Sequence, residues 1–536
     1  MSILGSMSDS YSLSYKQSKP NSHHDVIVIG SGIGGLTAAA VMADKGKRVL
    51  VLEKHYTPGG FTHVFKRKKY EWDVGIHYIG EVGDERTVMA KLFNWLTEGN
   101  LKWADMGEVY DRGVFGDDVY DFVKGVSAFK ERMKEYFPDE ASVIDEYVDA
   151  IFAAASAART FFAEKTMPPL AAKLAGGFMR RGYLKWADRT TLEVLKSMGA
   201  SDKLVGVLTT QYGDYGLTPS ESSFAMHAML VKHYFKGGSF PVGGSARIAE
   251  TIAPRIKRAG GAIYTNAGVS EIIIRKGKAV GVRMEDGNEL TADQVISSAG
   301  IANTFGKLLP EEANPGWKQT AQHIGTSASH LSLYIGLEGT PEELKLPKSN
   351  YWIFPSYDHD ANVRNFLENP KENDLPICYI SFPASKDPSW SERYPGRSTV
   401  ECITLANWDT WSKWDGTRWK KRGDDYESLK EDMSQRLLNK LYRMEPQLKG
   451  KVDTYELSSP LSTQHFANYQ QGEIYGLSHT PQRFRADFCK PRTRYKNLWL
   501  TGQDVVTAGV GGALFGGVLT ASAILGKNVM NEMIGA

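Results

Sequence analysis

The stretch DVIVIGSGIGGLTAAAVMADKGKRVLVLE, Asp25 to Glu53, decides the fold. Asp25 to Ile29 is an apolar, β-branched run that suits a strand buried on both faces. Gly30, Gly32 and Gly35 follow at G-x-G-x-x-G spacing. The first permits a tight turn, the second lets the backbone approach a pyrophosphate, and the third lets a helix pack closely on the strand. Leu36 to Lys45 reads as that helix, with its N-terminal amides and dipole facing the phosphate. Arg48 to Leu52 is a second strand, and Glu53 ends it where a ribose diol needs an acceptor. A glycine triplet alone is often only a loop. With both strands, the helix and the acid in register, the unit is a dinucleotide site.

Outward from this unit, Gly59-Gly60 closes a short loop, and Asp73-Val74-Gly75-Ile76-His77 follows a basic, hairpin-like stretch. Near the other end, NLWLTGQDVVTAGVGGALFGGVLTASAIL, Asn497 to Leu525, reads as a strand, a turn with Asp504, a glycine-rich loop and a small-residue helix. These pieces resemble the FAD-binding parts of the phytoene desaturase, carotenoid isomerase and amine oxidase superfamily. A narrower resemblance is to the retinol saturase-like branch. It is carried by DVGIHYIG at Asp73 to Gly80, QYGDYGLTPSESSFAMHA at Gln211 to Ala228, FPVGGSARIAETI at Phe240 to Ile252, and TGQD at Thr501 to Asp504.

The resemblance implies FAD as cofactor. Asp504 would hold the ribityl chain, the following helix would point its N-terminus at the flavin ring, and the Val269 backbone would touch the adenine. Taken with the fingerprint, the expected cofactor contacts are Gly30, Gly32, Gly34, Gly35, Glu53, Lys54, Gly59, Gly60, Phe61, Val269, Gly502, Asp504, Gly511, Gly512, Ala513 and Leu514. Two departures stand out. Phe61 occupies a position where many superfamily members carry Arg against the pyrophosphate, so neutralisation falls to helix amides or to Lys66, Arg67 and Lys68. Gln503 stands between Gly502 and Asp504, where many relatives have Gly-Asp directly.

The organisation implied is discontinuous: an α/β, Rossmann-like FAD-binding domain from 23–80, 240–300 and 497–536, and a mixed α+β substrate domain from 81–239 and 301–496. In the second piece, Gly243-Gly244-Ser245 precede a helix over Ala246 to Ala259. Strands then follow at Ala262 to Thr265, Val269 to Arg275, Ala279 to Met284 and Val295 to Ser298, with Asp286-Gly287 as a hairpin turn. The first insert reads mainly helical. The second, rich in Trp, Tyr and Phe, reads as a mixed sheet.

At 536 residues the chain is too long for one simple core. A formal charge of +2 gives no reason to expect a nucleic-acid partner. The three cysteines, Cys378, Cys402 and Cys489, are scattered, without the spacing of a disulfide framework or zinc site. No metal site is expected, and the thiols read as packed side chains in a reducing, cytoplasmic setting. Residues 1–22 are polar and read as a disordered tail without a signal peptide. No window offers the ~20 apolar residues of a membrane span. Ile151 to Trp186 mixes apolar residues with Arg159, Lys165, Lys173, Arg180, Arg181 and Lys185. It can be a helical hairpin broken at Pro168-Pro169 whose apolar side is domain core, or a peripheral membrane contact through which a greasy substrate enters.

Only one complete dinucleotide fingerprint is present, so a resident nicotinamide site is not expected. A saturating enzyme would draw electrons from a transient donor or a separate reductase, whereas an isomerase would consume none. Candidate catalytic residues are His77, as a proton donor or acceptor near the ring, with Tyr212 and His465. Each has a structural alternative: a backbone-bonded His77, a packed Tyr212 beside a Gly-Asp turn, and an unassigned His465 beside Tyr469 and Tyr475. His227 reads as a buried, satisfied histidine. The expected substrate is a long apolar molecule with conjugated double bonds, a retinoid, carotenoid or polyunsaturated lipid. The expected reaction is saturation of one C=C, with isomerisation, desaturation, and binding without turnover as the alternatives.

Overall fold

The structure is a computed structural model that describes residues 11–310 and 316–535. Its first sheet grows from the opening unit. His23–Ile29 lies between the parallel strands Val49–Leu52 and Glu289–Ser297, and Ala262–Thr265 extends the sheet beyond Val49–Leu52. Leu498–Leu500, from the far end of the chain, joins Glu289–Ser297 in parallel. An antiparallel extension, Val269–Arg275 with Lys278–Met284, completes the other edge.

The helix Ile33–Asp44 is apolar on every side, with Ile33 to Ala43 all buried. Such a helix is stable only when covered all round. Here Arg247–Arg258 and the C-terminal Gly509–Leu525 pack against it. Close packing has a local cause: an added Cβ on Gly35 would lie 2.3 Å from the Gly30 carbonyl, and one on Gly34 would lie 2.6 Å from Gly502 Cα. These glycines set the helix against its strand and against the C-terminal segment.

The reading of 1–22 as a disordered tail is corrected where the residues are described. Leu13–Ser14 adds a parallel edge strand beside Tyr264 and Thr265, and Tyr15 is buried, its hydroxyl donating to Asp286. Two residues of main-chain pairing and one buried tyrosine suffice to dock this edge, and the surrounding serines and lysines mask that in composition. Residues 1–10 lie outside the described residues.

The second sheet has seven strands in the order Val452–Ser458, Ser329–Glu338, Arg397–Ala406, Cys378–Ser381, Asn350–Phe354, Val109–Phe115, Asp118–Val123. The last two come from the first insert, which is therefore not only helical. Val109–Phe115 runs parallel to Asn350–Phe354 and carries the sheet into a hairpin with Asp118–Val123. Their mixed polar composition, VYDRGVF and DVYDFV, hides the strand alternation. The hairpin Val64–Arg67 with Tyr70–Asp73 leans on this second sheet, with Trp72 donating its indole N–H to the Ile335 carbonyl at 3.0 Å. A segment next to the dinucleotide unit in sequence thus packs against the other layer.

Candidate functional site

Between the two sheets runs one continuous cavity of about 1530 Å³. Ligand cavities commonly hold ~300–1,000 Å³, so this one has room for more than a single small molecule. One end is built by the opening unit. Gly30 makes the turn at φ 93°. Ser31 donates both its amide (2.9 Å) and its hydroxyl (2.6 Å) to one Glu53 oxygen, while the His55 amide donates to the other at 2.8 Å. The Gly59 amide closes back onto Ser31 Oγ at 3.0 Å. The acid is thus locked in place at the cavity wall. An added Cβ on Gly32 would meet no atom within 4 Å, and neither would one on Gly509. Space is left beside the main chain at the N-termini of both the helices that reach this groove, Ile33–Asp44 and Gly509–Leu525. Backbone amides with an aligned dipole and no side chain between them and the groove suit a pyrophosphate.

Of the expected cofactor contacts, Gly30, Gly32, Gly34, Glu53, Lys54, Gly59, Gly60, Phe61, Val269, Gly502, Asp504, Gly511, Gly512 and Ala513 line this cavity. Gly35 and Leu514 do not. Gly35 is spent on helix packing, and Leu514 is fully buried in the apolar core under the C-terminal helix, one position past the groove-facing Ala513. Asp504 reaches the cavity with both oxygens engaged. Ile301 N–H donates to one at 2.8 Å and Leu477 N–H to the other at 3.0 Å, with Arg483 Nη1 3.5 Å away. It staples three segments together, and the inserted Gln503 points its amide at the Tyr469 hydroxyl, 3.0 Å away. Phe61 stacks on Tyr469 with centroids 5.9 Å apart. Of the three nearby basic residues only Arg67 lines the cavity, and it is paired with Glu456 at 3.3 Å. The amides at the N-termini of Ile33–Asp44 and Gly509–Leu525 and the Lys54 side chain are other positive groups at this end of the cavity.

The other branch is walled by aromatic and aliphatic side chains, among them Trp352, Tyr379, Tyr475, Met226, Met229 and Leu230. It continues to Phe152, Phe162 and Pro168 on the helical hairpin Ala141–Glu164 and Pro169–Ala187. His77 lines the cavity. Tyr212 and His465 do not, which removes both as candidate catalytic groups. Tyr212 is fully buried, its ring packed by Phe354 and His359. His465 lies flat on Trp419, centroids 5.7 Å apart, outside the cavity. Their neighbours Asp214, Tyr469 and Tyr475 do line it. The period-two alternation of an extended strand does not hold in the 3₁₀ turn Thr210–Asp214, so adjacent residues there share no predictable face. His227 is buried with both ring nitrogens satisfied, by Tyr147 Oη at 2.8 Å and Tyr215 Oη at 3.2 Å.

Under the aromatic branch lies a polar network that sequence reading missed almost entirely. Tyr78 donates to Asp111 (2.7 Å) and reaches Asp214 (3.3 Å). Gln211 and Asn350 also donate to Asp111, at 2.7 and 2.8 Å. Buried Lys386 donates to Ser381 Oγ at 2.8 Å, to the His77 carbonyl at 3.1 Å and to Asn350. His77 Nδ1 lies 2.8 Å from Oε2 of Glu401, a fully buried acid on the central strand Arg397–Ala406. Desolvation pushes His77 down to about 3, helped by Lys386. It pushes Glu401 up to about 8, and Asp214, repelled by Asp111, also to about 8. Desolvation brings Lys386 down to about 7. The one sequence signal for Glu401 is a lone acid inside the apolar run STVECITLA, a burial that demands a reason.

Fold and site together define a flavin-dependent oxidoreductase. The chain belongs to the flavin containing amine oxidoreductase family, whose model matches residues 33–525. Within that superfamily it belongs with the all-trans-retinol 13,14-reductases: it is 37% identical to the Homo sapiens protein over 529 residues, 95% of this chain and 87% of that one. A prolycopene isomerase of Arabidopsis thaliana is 26% identical over 86% of this chain and 75% of its own length. Among solved structures, putrescine oxidase with bound putrescine superposes with a TM-score of 0.60 at 15% identity, over 95% of this chain and all of that one, a likeness of fold.

Proposed function

We propose that this chain binds FAD and saturates one C=C bond of a retinoid or a similar long conjugated molecule. The observation that carries this is the single undivided cavity, whose polar end is shaped for a dinucleotide and whose aromatic branch takes an elongated apolar ligand. The likeness to retinol reductases supports the choice of substrate and reaction. When bound, the flavin supplies hydride. The chain's own residues do the rest. Glu53 would accept the ribose hydroxyls, the N-terminus of Ile33–Asp44 would face the pyrophosphate and that of Gly509–Leu525 the flavin ring, and Asp504 would hold the ribityl chain. The aromatic wall excludes water and orients the polyene, and His77 stands where the two branches share wall, as a proton donor. The single dinucleotide fingerprint of the sequence supports a separate electron donor.

Access from a membrane surface is part of this reading. On the helix Pro169–Ala187, Leu170, Leu174 and Phe178 are 72%, 81% and 88% exposed. Spaced four apart, they form one stripe, flanked by exposed Lys173, Arg181 and Lys185. Only the opposite face, with Tyr183 and Ala187, is core. Met167 and Pro168, immediately before this helix, line the cavity. No helix among the described residues is long and apolar enough to cross a membrane, so the contact is peripheral.

The deciding experiment is anaerobic. Dithionite-reduced protein is mixed with all-trans-retinol. Saturation oxidises one flavin per product and shortens the polyene chromophore. An isomerase shifts the polyene spectrum while the flavin stays reduced, and a polyene left unchanged overturns both readings.

A further inference from the structure

Saturating a C=C consumes one hydride and one proton, and the proton must be held in a site that is otherwise dry. His77 is one of several imidazoles on the cavity wall, and the titratable groups facing it and its acid partner from the surrounding elements are Asp73, His330, Tyr334, Tyr379, Lys386 and Glu401. The geometry singles out one of them. Glu401 projects from the middle of the second sheet, fully buried, with Tyr334 and Ser381 as its cross-strand neighbours. Its Oε2 lies 2.8 Å from His77 Nδ1, close enough for one proton to be shared between them, and the Asp73 backbone N–H is the other donor toward this carboxyl. A full carboxylate charge at such depth is costly. A carboxyl O–H donating to a bare Nδ1 satisfies both atoms with no charge at all. It also fixes the tautomer, because Nδ1 bare leaves the proton on Nε2, on the far side of the ring from Glu401.

We propose that Glu401 is a positioning residue that carries the reserve proton of the site: as a neutral acid it holds His77 with Nε2–H free to donate. This rests on the saturation reading above. In the step, the substrate takes hydride on one carbon and the His77 Nε2 proton on the other. The Glu401 proton moves to His77 Nδ1, the C=C π bond becomes two C–H bonds, and Glu401 is left as carboxylate near Lys386. The flavin gives up two electrons, to be restored by a separate two-electron donor. The direction of both buried pKa values agrees, His77 lowered and Glu401 raised by desolvation. A neutral imidazole beside a neutral carboxylic acid is the ground state at neutral pH.

The test uses full-length holoprotein: wild type, Glu401→Gln, which keeps shape but cannot pass a proton, and Glu401→Asp, which can. Infrared spectra of glutamate-¹³C-labelled protein should show a protonated carboxyl band at pH 7 that disappears in Glu401→Gln and titrates away near pH 8 in the wild type. With all-trans-retinol as probe, Glu401→Gln should saturate about 100-fold more slowly at unchanged KM and flavin content, and Glu401→Asp should recover part of the loss. Absence of that band, or a Glu401→Gln enzyme that saturates retinol at the wild-type rate, overturns the proposal. If the wild type fails to saturate retinol, the functional reading falls, while the infrared band still decides whether Glu401 holds a proton. A Glu401→Gln protein that loses its flavin is replaced by Glu401→Asp alone, whose band must reappear shifted if the site stores a proton.

Discussion

Gly32 and Gly34 stand two residues apart in one fingerprint and should respond in opposite ways to the same methyl group. At Gly32 the backbone is at φ −59° and ψ 164°, open to any L-residue, and an added Cβ meets nothing within 4 Å. Gly32→Ala should therefore stabilise the apoprotein by about 0.4–1 kcal/mol, through the lost freedom of the unfolded chain. At Gly34 the added Cβ would sit 2.6 Å from Gly502 Cα and 2.8 Å from both Gly502 N and Ala513 O, three main-chain atoms that cannot swing aside. Gly34→Ala should cost about 1–3 kcal/mol of overpacking. Flavin affinity should fall in both, for different reasons. In Gly32→Ala the methyl fills the space beside the phosphate-facing amides, and loss of one charge-assisted hydrogen bond of about 1.5–3 kcal/mol weakens Kd by about 10- to 150-fold. In Gly34→Ala the groove is pried apart. Urea denaturation of the deflavinated proteins gives the stabilities, and flavin titration monitored by fluorescence quenching gives the affinities. A Gly32→Ala protein that binds flavin like the parent would refute the placement of the pyrophosphate along this groove. Equal apoprotein stabilities would refute the close approach of the opening helix to the C-terminal segment.

Glu53→Arg should yield colourless protein, because it puts a cation among the amides of Ser31 and His55 and removes the ribose acceptor; the absorbance ratio of purified protein checks it. Asp214, pushed up to about 8 from an ordinary 3.8 by burial and by Asp111, holds its proton in the folded state across a window where the unfolded chain has lost it. Folded protein binds more protons there, so stability falls as pH rises between about 4 and 8, by up to about 1.4 kcal/mol per pH unit. Asp214→Asn should flatten that part of the profile in urea melts, and an unchanged slope would show that Asp214 is ionised. Leu174→Glu with Phe178→Glu should abolish cosedimentation with vesicles containing anionic lipid while leaving flavin content intact. Equal sedimentation of variant and parent would remove the membrane-surface reading.

The opening unit was legible because every level of it agrees: an apolar strand, positive-φ glycine, helix and terminal acid occur in register within one short segment. The strands Val269–Arg275 and Lys278–Met284 were legible from their apolar alternation and the Asp286-Gly287 turn, but Glu289–Ser297 was read only from Val295 on, because its first half, ELTADQ, is polar and pairs at the turn without an apolar run to mark it. Glu401 and Asp111 were not, since they lie far apart in the chain and are drawn together only because Arg397–Ala406 and Val109–Phe115 join one sheet, and Lys386 reaches them from the short helix Pro383–Lys386 that follows the strand Cys378–Ser381. Leu514 was misplaced by a single residue, since along a helix one step turns the side chain by about 100° and moves it from groove to core. Tyr15 was lost in a polar stretch because a two-residue edge strand carries no periodicity to read.

The groove is closed from both ends of the polypeptide: Thr501 reaches the carbonyl of Gly34 across 467 residues of sequence. At about 5–20 residues per second, a ribosome needs roughly 20–90 s to make the second half of the clasp after the first has emerged. During that interval the all-apolar helix Ile33–Asp44 lacks one of the two helices that cover it in the finished fold. Cofactor loading is thereby tied to the end of translation, so that a prematurely terminated chain lacks the means to retain a flavin and presents itself to proteolysis as unfinished.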